Sequence, residues 1–155
     1  MWGSMRAMTT YDARWFASQA ATWDDDPRRV ERARRAADAI AAEVPVDPSW
    51  SVLDYGAGTG LLAFALADRV GDMLLLDFSD GMVEVARRRI ADSGRAGMRA
   101  EVHDLTQAAV PEGQKFDLVI SMMVMHHVDD VPLLLKQLAK ATVDGGWIAV
   151  LDLEP

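Results

Sequence analysis

Residues 51–60 read SVLDYGAGTG. Val52 and Leu53 form a short apolar run that ends in an acid, Asp54. Gly56, Gly58 and Gly60 follow at alternate positions, and then Leu61, Leu62, Phe64, Ala65 and Leu66 take up helical spacing. The order predicts a strand, a tight turn and a helix. Glycine permits positive φ and lets another molecule approach bare backbone. The start of a helix offers unpaired N–H groups and a partial positive charge. Together they make a crevice at the carboxyl end of a strand, where open α/β sheets bind their ligands. The spacing is not the dinucleotide fingerprint G-x-G-x-x-G, because Leu61 stands at the third glycine. It is not a phosphate loop either, since no lysine follows Gly60.

Totals narrow the partners. A chain of 155 residues suffices for one domain with one core. The formal net charge of −8 argues against a polyanion, whose phosphates are gripped by cations, so no nucleic-acid partner is expected. There are no cysteines, which removes disulfides, thiolate metal sites and thiol nucleophiles. No apolar run reaches the roughly 18 residues of a membrane span, and the N-terminus lacks a signal-peptide core. A cytoplasmic location and no membrane partner are therefore expected.

Along the chain, residues 1–8 read as a tag remnant or unstructured start, residues 9–48 as a helical lid, and residues 49–155 as the α/β core. Asp26 and Pro27 suit an N-cap and first turn. Val30, Ala33, Ala37, Ile40, Ala41 and Val44 then give one apolar helical face, which leaves Arg28, Arg29, Arg32, Arg34 and Arg35 on a solvated one. The helix after Gly60 should run to Val70, with Gly71 as its C-cap. Met73–Leu76 is a continuous apolar run ending in Asp77, as in a buried parallel strand. Asp77 lies 21 residues after Gly56, where an acid can accept both hydroxyls of a ribose. Ser79 is placed to cap the next helix. Residues 98–103 and 116–121 read as further strands, residues 131–142 as a helix, Asp144-Gly145-Gly146 as a turn, and Trp147–Leu153 as the fifth strand.

VLDYGAGTG resembles motif I of the class I S-adenosylmethionine-dependent methyltransferases of the small-molecule type, hydrophobic-hydrophobic-D/E-x-G-x-G-x-G. Asp77 fits the second motif and FDLVIS, residues 116–121, the fourth. The resemblance implies a Rossmann-like, doubly wound α/β sheet of order 3-2-1-4-5. The two strands that the family usually adds after the fifth are not in this sequence. It implies methyl transfer from S-adenosylmethionine, leaving S-adenosylhomocysteine, to a small-molecule acceptor. The alternative is a domain that binds these molecules without catalysis.

The resemblance also implies the site. Gly56, Ala57, Gly58 and Gly60 would admit the cofactor, with Asp54 orienting the loop and the methionyl ammonium. Asp77 would hold the ribose, and Phe78 and Met82 would flank the adenine. Asp104 and the Leu105 N–H would meet the adenine edge, while Ser121 and Met122 would line the methionyl portion. Tyr11, Trp15 and Trp23 would belong to a lid over cofactor and substrate. His126 and His127, a polar pair in an apolar stretch, are the candidate catalytic groups, since imidazole titrates near neutrality. No metal is expected: the acids that hold magnesium in catechol-type relatives are absent at Ser121. Trp147, Ile148, Val150 and Leu151 would leave an apolar strand at the sheet edge, which predicts either a homo-oligomer or a fifth strand covered by another segment.

Overall fold

The computed structural model describes residues 13–153. Tyr11 lies outside the described residues. The core is one five-stranded parallel sheet in the order β3-β2-β1-β4-β5. The strands are β1 (Val52–Tyr55), β2 (Met73–Asp77), β3 (Met98–Val102), β4 (Phe116–Met122) and β5 (Thr142–Leu151). β1 sits at the centre, with Leu53 opposite Leu74 on one side and Val119 on the other. Every residue of β1 and β2 is buried, because helices cover both sheet faces.

The alternation along each strand divides the core in two. On one face Val52, Met73, Leu75, Leu118 and Ile120 pack against three helices. These are α2 (Pro27–Glu43), α3 (Leu61–Leu66) and α4 (Asp80–Ser93). On the other, Leu53, Leu74, Leu76 and Val119 meet Leu134 and Leu138 of α5 (Val131–Lys140). A short helix over residues 13–19, α1, precedes a 3₁₀ turn, Ala20–Asp25.

The helix starts follow local chemistry. Asp26 accepts the Arg28 N–H at 2.9 Å with Pro27 beside it. Ser79 accepts the Met82 N–H, and Asp130 accepts the Leu133 N–H at 2.9 Å. Each bond satisfies a donor that the helix itself leaves orphaned. Asp117 does the same for the sheet, taking the Ser51 N–H at 2.9 Å and so tying the start of β4 to β1.

The largest departures from the expected boundaries are at α3 and β5. The helix after Gly60 ends at Leu66 and tightens into a 3₁₀ turn over Ala67–Arg69. Gly71 caps nothing there. A Cβ on it would sit 2.9 Å from the Pro48 and Trp50 carbonyl oxygens, so close chain approach explains it. β5 begins at Thr142, not at Trp147, and ends at Leu151. Gly145-Gly146 is a pairing irregularity inside the strand, between Phe116↔Thr142 and Leu118↔Trp147. A Cβ on Gly146 would meet the Asp117 carbonyl oxygen at 2.9 Å. The turn residues are therefore a bulge pressed onto β4.

Candidate active site

All four loops that matter leave the carboxyl ends of β1, β2, β3 and β4. Gly56 and Gly58, at φ 71° and 57°, turn the chain after β1, and Gly60 at φ 92° starts α3. The Gly56 and Ala57 N–H groups both donate to the Leu76 carbonyl, at 2.8 and 3.0 Å. The Gly58 N–H donates to Asp77 at 2.8 Å, and the other oxygen of Asp77 accepts the Ser79 N–H at 2.9 Å. Asp77 thus fixes the glycine loop and the start of α4 at once.

A cavity of about 430 Å³ opens above these loops. Asp54, Gly56, Ala57, Gly58 and Asp77 line it, and so do Phe78, Met82, Asp104 and Met122. Gly60, Leu105 and Ser121 stand behind its wall. Gly60 packs on Leu75 and Phe64, Leu105 is fully buried in the α5 core, and the Ser121 hydroxyl donates to the Tyr55 carbonyl at 3.0 Å.

The acids are unusual in their electrostatics. Asp54 is 1% exposed, and its Oδ2 has no hydrogen-bond partner. Burial, reinforced by the nearby charge of Asp77 and opposed by the Ala63 N–H, pushes its pKa up to about 7. Asp77 is raised as well, chiefly by burial, with the Ser79 and Gly58 N–H groups opposing. Asp104 is partly committed: its Oδ1 accepts the Tyr55 hydroxyl at 3.2 Å and the Thr106 N–H at 2.9 Å.

The N-terminal segment covers the cavity. Phe16 and Trp23 line it, whereas Trp15 stacks edge-on behind them and stays exposed. Phe16 touches Phe78 on one side and His127 on the other, with ring centroids 5.9 and 5.6 Å away. Asp24 anchors the cover. One oxygen accepts the Thr59 hydroxyl at 2.6 Å and the other pairs with Arg89 at 3.2 Å. α1 also crosses α4 closely, since a Cβ on Gly81 would lie 2.8 Å from the Ala17 Cα.

The two histidines differ in their relation to the cavity. His127 lines the cavity, while His126 lies outside it, with Nδ1 2.6 Å from Asp152 Oδ1. Among the described residues no group of three or more His, Asp or Glu side chains converges on a possible metal position.

Some lining residues are absent from the sequence-level expectation. Arg29 and Arg32, placed there on a solvated face, line the cavity instead. The Arg29 guanidinium lies 3.6 Å from the centre of the Trp23 ring, so the cover holds this cation at the cavity, while Arg32 stays exposed at its rim. Their spacing of three on α2 was the available signal. Val124 and Leu133 also contribute apolar wall. Met123, at φ 60°, turns the chain away from β4 and lines the cavity too.

Comparison with known proteins agrees with this geometry. A relative from Chelativorans sp., a ubiquinone biosynthesis O-methyltransferase, is 34% identical over 100 residues, which is 64% of this chain and 38% of that enzyme. The chain spans less than half the length of the first curated relatives it matches. A methyltransferase of Mesorhizobium loti, described as S-adenosylmethionine dependent, superposes with a TM-score of 0.62 at 28% identity, covering 72% of this chain and 51% of that one. DhpI, solved with S-adenosylhomocysteine, superposes with a TM-score of 0.76 at 20% identity over 92% of this chain and 68% of that one, a likeness of fold. The methyltransferase domain family matches residues 52–146, from the first residue of β1 into β5, and the chain belongs to that family.

Proposed function

We propose that the protein transfers a methyl group from S-adenosylmethionine to a small-molecule acceptor, releasing S-adenosylhomocysteine. One observation carries this reading. A buried acid with an unpartnered oxygen, Asp54, lines the same cavity as the bare backbone of Gly56 and Gly58 and the strand-tip acid Asp77. An unpaired buried carboxylate oxygen is costly unless a ligand meets it. An ammonium group would do so, and a nucleoside would meet Asp77. A cavity of about 430 Å³ falls within the usual range for small-molecule sites, roughly 300–1,000 Å³.

The residues divide the work as follows. Asp77 receives the ribose hydroxyls, using lone pairs left over from its two backbone bonds. Phe78 and Met82 flank the base, and the second oxygen of Asp104 takes its amino group. Asp54 meets the methionyl ammonium, and Arg29 and Arg32 offer cations to its carboxylate. Bound S-adenosylmethionine supplies an electrophilic methyl carbon on a sulfonium. Phe16, Trp23 and Val124 exclude water and hold the acceptor in line, which is the main requirement of a direct displacement. His127 can hold the proton that an acceptor O–H or N–H releases. Transfer is preferred to binding alone because the cavity continues past the cofactor residues to His127 and Leu133.

The net charge of −8 and the covered cavity support a small acceptor over a nucleic acid. No helix among the described residues is long and apolar enough to cross a membrane. A cytoplasmic setting is part of the proposal, as is self-association through β5.

The test is calorimetry with S-adenosylhomocysteine, followed by a screen for transfer of a labelled methyl group. The wild-type chain should bind, and Asp77→Ala should bind at least tenfold more weakly, about the 1.5–3 kcal/mol of hydrogen bonds to a charged group. Equal affinities would refute the assignment of Asp77.

A further inference from the structure

Asp152 follows β5 and stands outside the cavity, yet it is bonded to the segment that carries His127. Its Oδ1 lies 2.6 Å from His126 Nδ1, and its Oδ2 accepts the Met125 N–H at 2.7 Å. The turn so gripped, Met125–His127, is a single 3₁₀ turn with no side-chain cap of its own. Such a turn has little intrinsic stability, so its orientation depends on what holds it. The His126 ring lies against the His127 ring, with centroids 4.0 Å apart, and Phe16 meets His127 edge-on at 5.6 Å. His127 is therefore in contact with a ring fixed by Asp152 and with a ring supplied by α1.

We propose that Asp152 is a positioning residue: through His126 and the Met125 N–H it fixes the turn that presents His127 to the acceptor side of the cavity. The bond has a definite polarity. A carboxylate only accepts, so His126 carries its proton on Nδ1. Partial burial works against the charge of Asp152, but the Leu153 N–H, His126 and the Met125 N–H outweigh it and hold its pKa below the usual carboxylate value. The carboxylate is thus ionised and accepting at neutral pH. Asp152 is separated from His126 by 26 positions, and it reaches the turn because β5 lies beside β4, with Met122 opposite Leu151. The register of two strands sets the pose of one imidazole.

The inference rests on the methyltransferase reading for the role of His127, but its test does not need an acceptor. The chain has three histidines, so the rings can be assigned by nitrogen-15 long-range correlation spectra. In the wild type, His126 should show its proton on Nδ1. Saturation with S-adenosylhomocysteine should move the His127 ring resonances. Asp152→Ala should bind S-adenosylhomocysteine within about twofold of wild type, lose the fixed His126 tautomer, and lose at least half of the His127 response. His126→Phe keeps a ring against His127 but removes the bond to Asp152, and it should lose the same response. A wild-type His126 protonated on Nε2 alone would overturn the proposal, and so would a full His127 response in either variant. Failure of the wild type to bind S-adenosylhomocysteine would instead overturn the proposed function, and the His126 tautomer would still decide for or against the Asp152 bond.

Discussion

Asp54 and Asp77 lie near the tips of neighbouring strands, and the charge of Asp77 adds to burial in raising the cost of ionising Asp54. With its pKa pushed up to about 7 in the fold, against 3.8 for an ordinary aspartate, Asp54 binds a proton that the unfolded chain has lost. Stability therefore falls as pH rises from about 4 to about 7, and it is flat again above that. The total loss is on the order of a few kcal/mol. A ligand ammonium reverses the preference, because it favours the ionised acid. The melting temperature of the free protein should drop between pH 5 and 8, and saturating S-adenosylhomocysteine should shrink that drop. Asp54→Asn should flatten the profile without ligand. A profile in Asp54→Asn as steep as that of the wild type would show that another group titrates.

Elements meet at Gly56, where the loop after β1 touches the segment after β4. A Cβ on Gly56 would collide with Val124 Cγ2, at a backbone φ of 71° that side chains rarely adopt. Gly56→Ala should cost about 2–4 kcal/mol, as left-handed strain and overpacking add. Adding Val124→Ala should return the overpacking share, while the strain remains. Urea midpoints of the two single variants and the double variant measure this coupling, and strictly additive midpoints would exclude the contact. The strand–glycine–helix unit was legible in sequence because each part has its own local cause: an apolar run, turn glycines and apolar residues at helical spacing. β2 was legible as a continuous apolar run, and β4 through its resemblance to the family's fourth motif. The start of β5 was not, because Asp144-Gly145-Gly146 has turn chemistry and only contact with Asp117 makes it a bulge. Arg29 was misplaced for a related reason. Helical periodicity says which face meets the core, but not that Trp23 would fold back under the other. The bond from Asp152 to His126 was invisible, since it exists only once β5 is laid beside β4.

At the scale of the whole molecule the two sheet edges are treated differently. β3 is blunted: Arg99 and Glu101 pair along it, and Arg87 donates to the Ala100 carbonyl at 2.9 Å. Charges on an edge discourage pairing with another chain. β5 carries a charge, Asp144, and its bulge only in its first half, and its second half is apolar. Trp147, Ile148 and Val150 are 41%, 39% and 40% exposed, and successive residues point to opposite faces, so both sides of this strand are open. The simplest closed solution is a two-fold pair in which the β5 strands meet antiparallel, because an isologous contact buries both edges at once. Sedimentation velocity at tens of micromolar should therefore show a dimer. The double variant Ile148→Lys with Val150→Lys puts two cations on one face of the strand, where they would oppose their own copies across the two-fold axis. It should sediment as a monomer with its melting temperature nearly unchanged, since both positions are already exposed. A wild-type chain that stays monomeric at that concentration would mean that β5 does not pair with a second copy. A charged variant that remains dimeric would move the interface elsewhere.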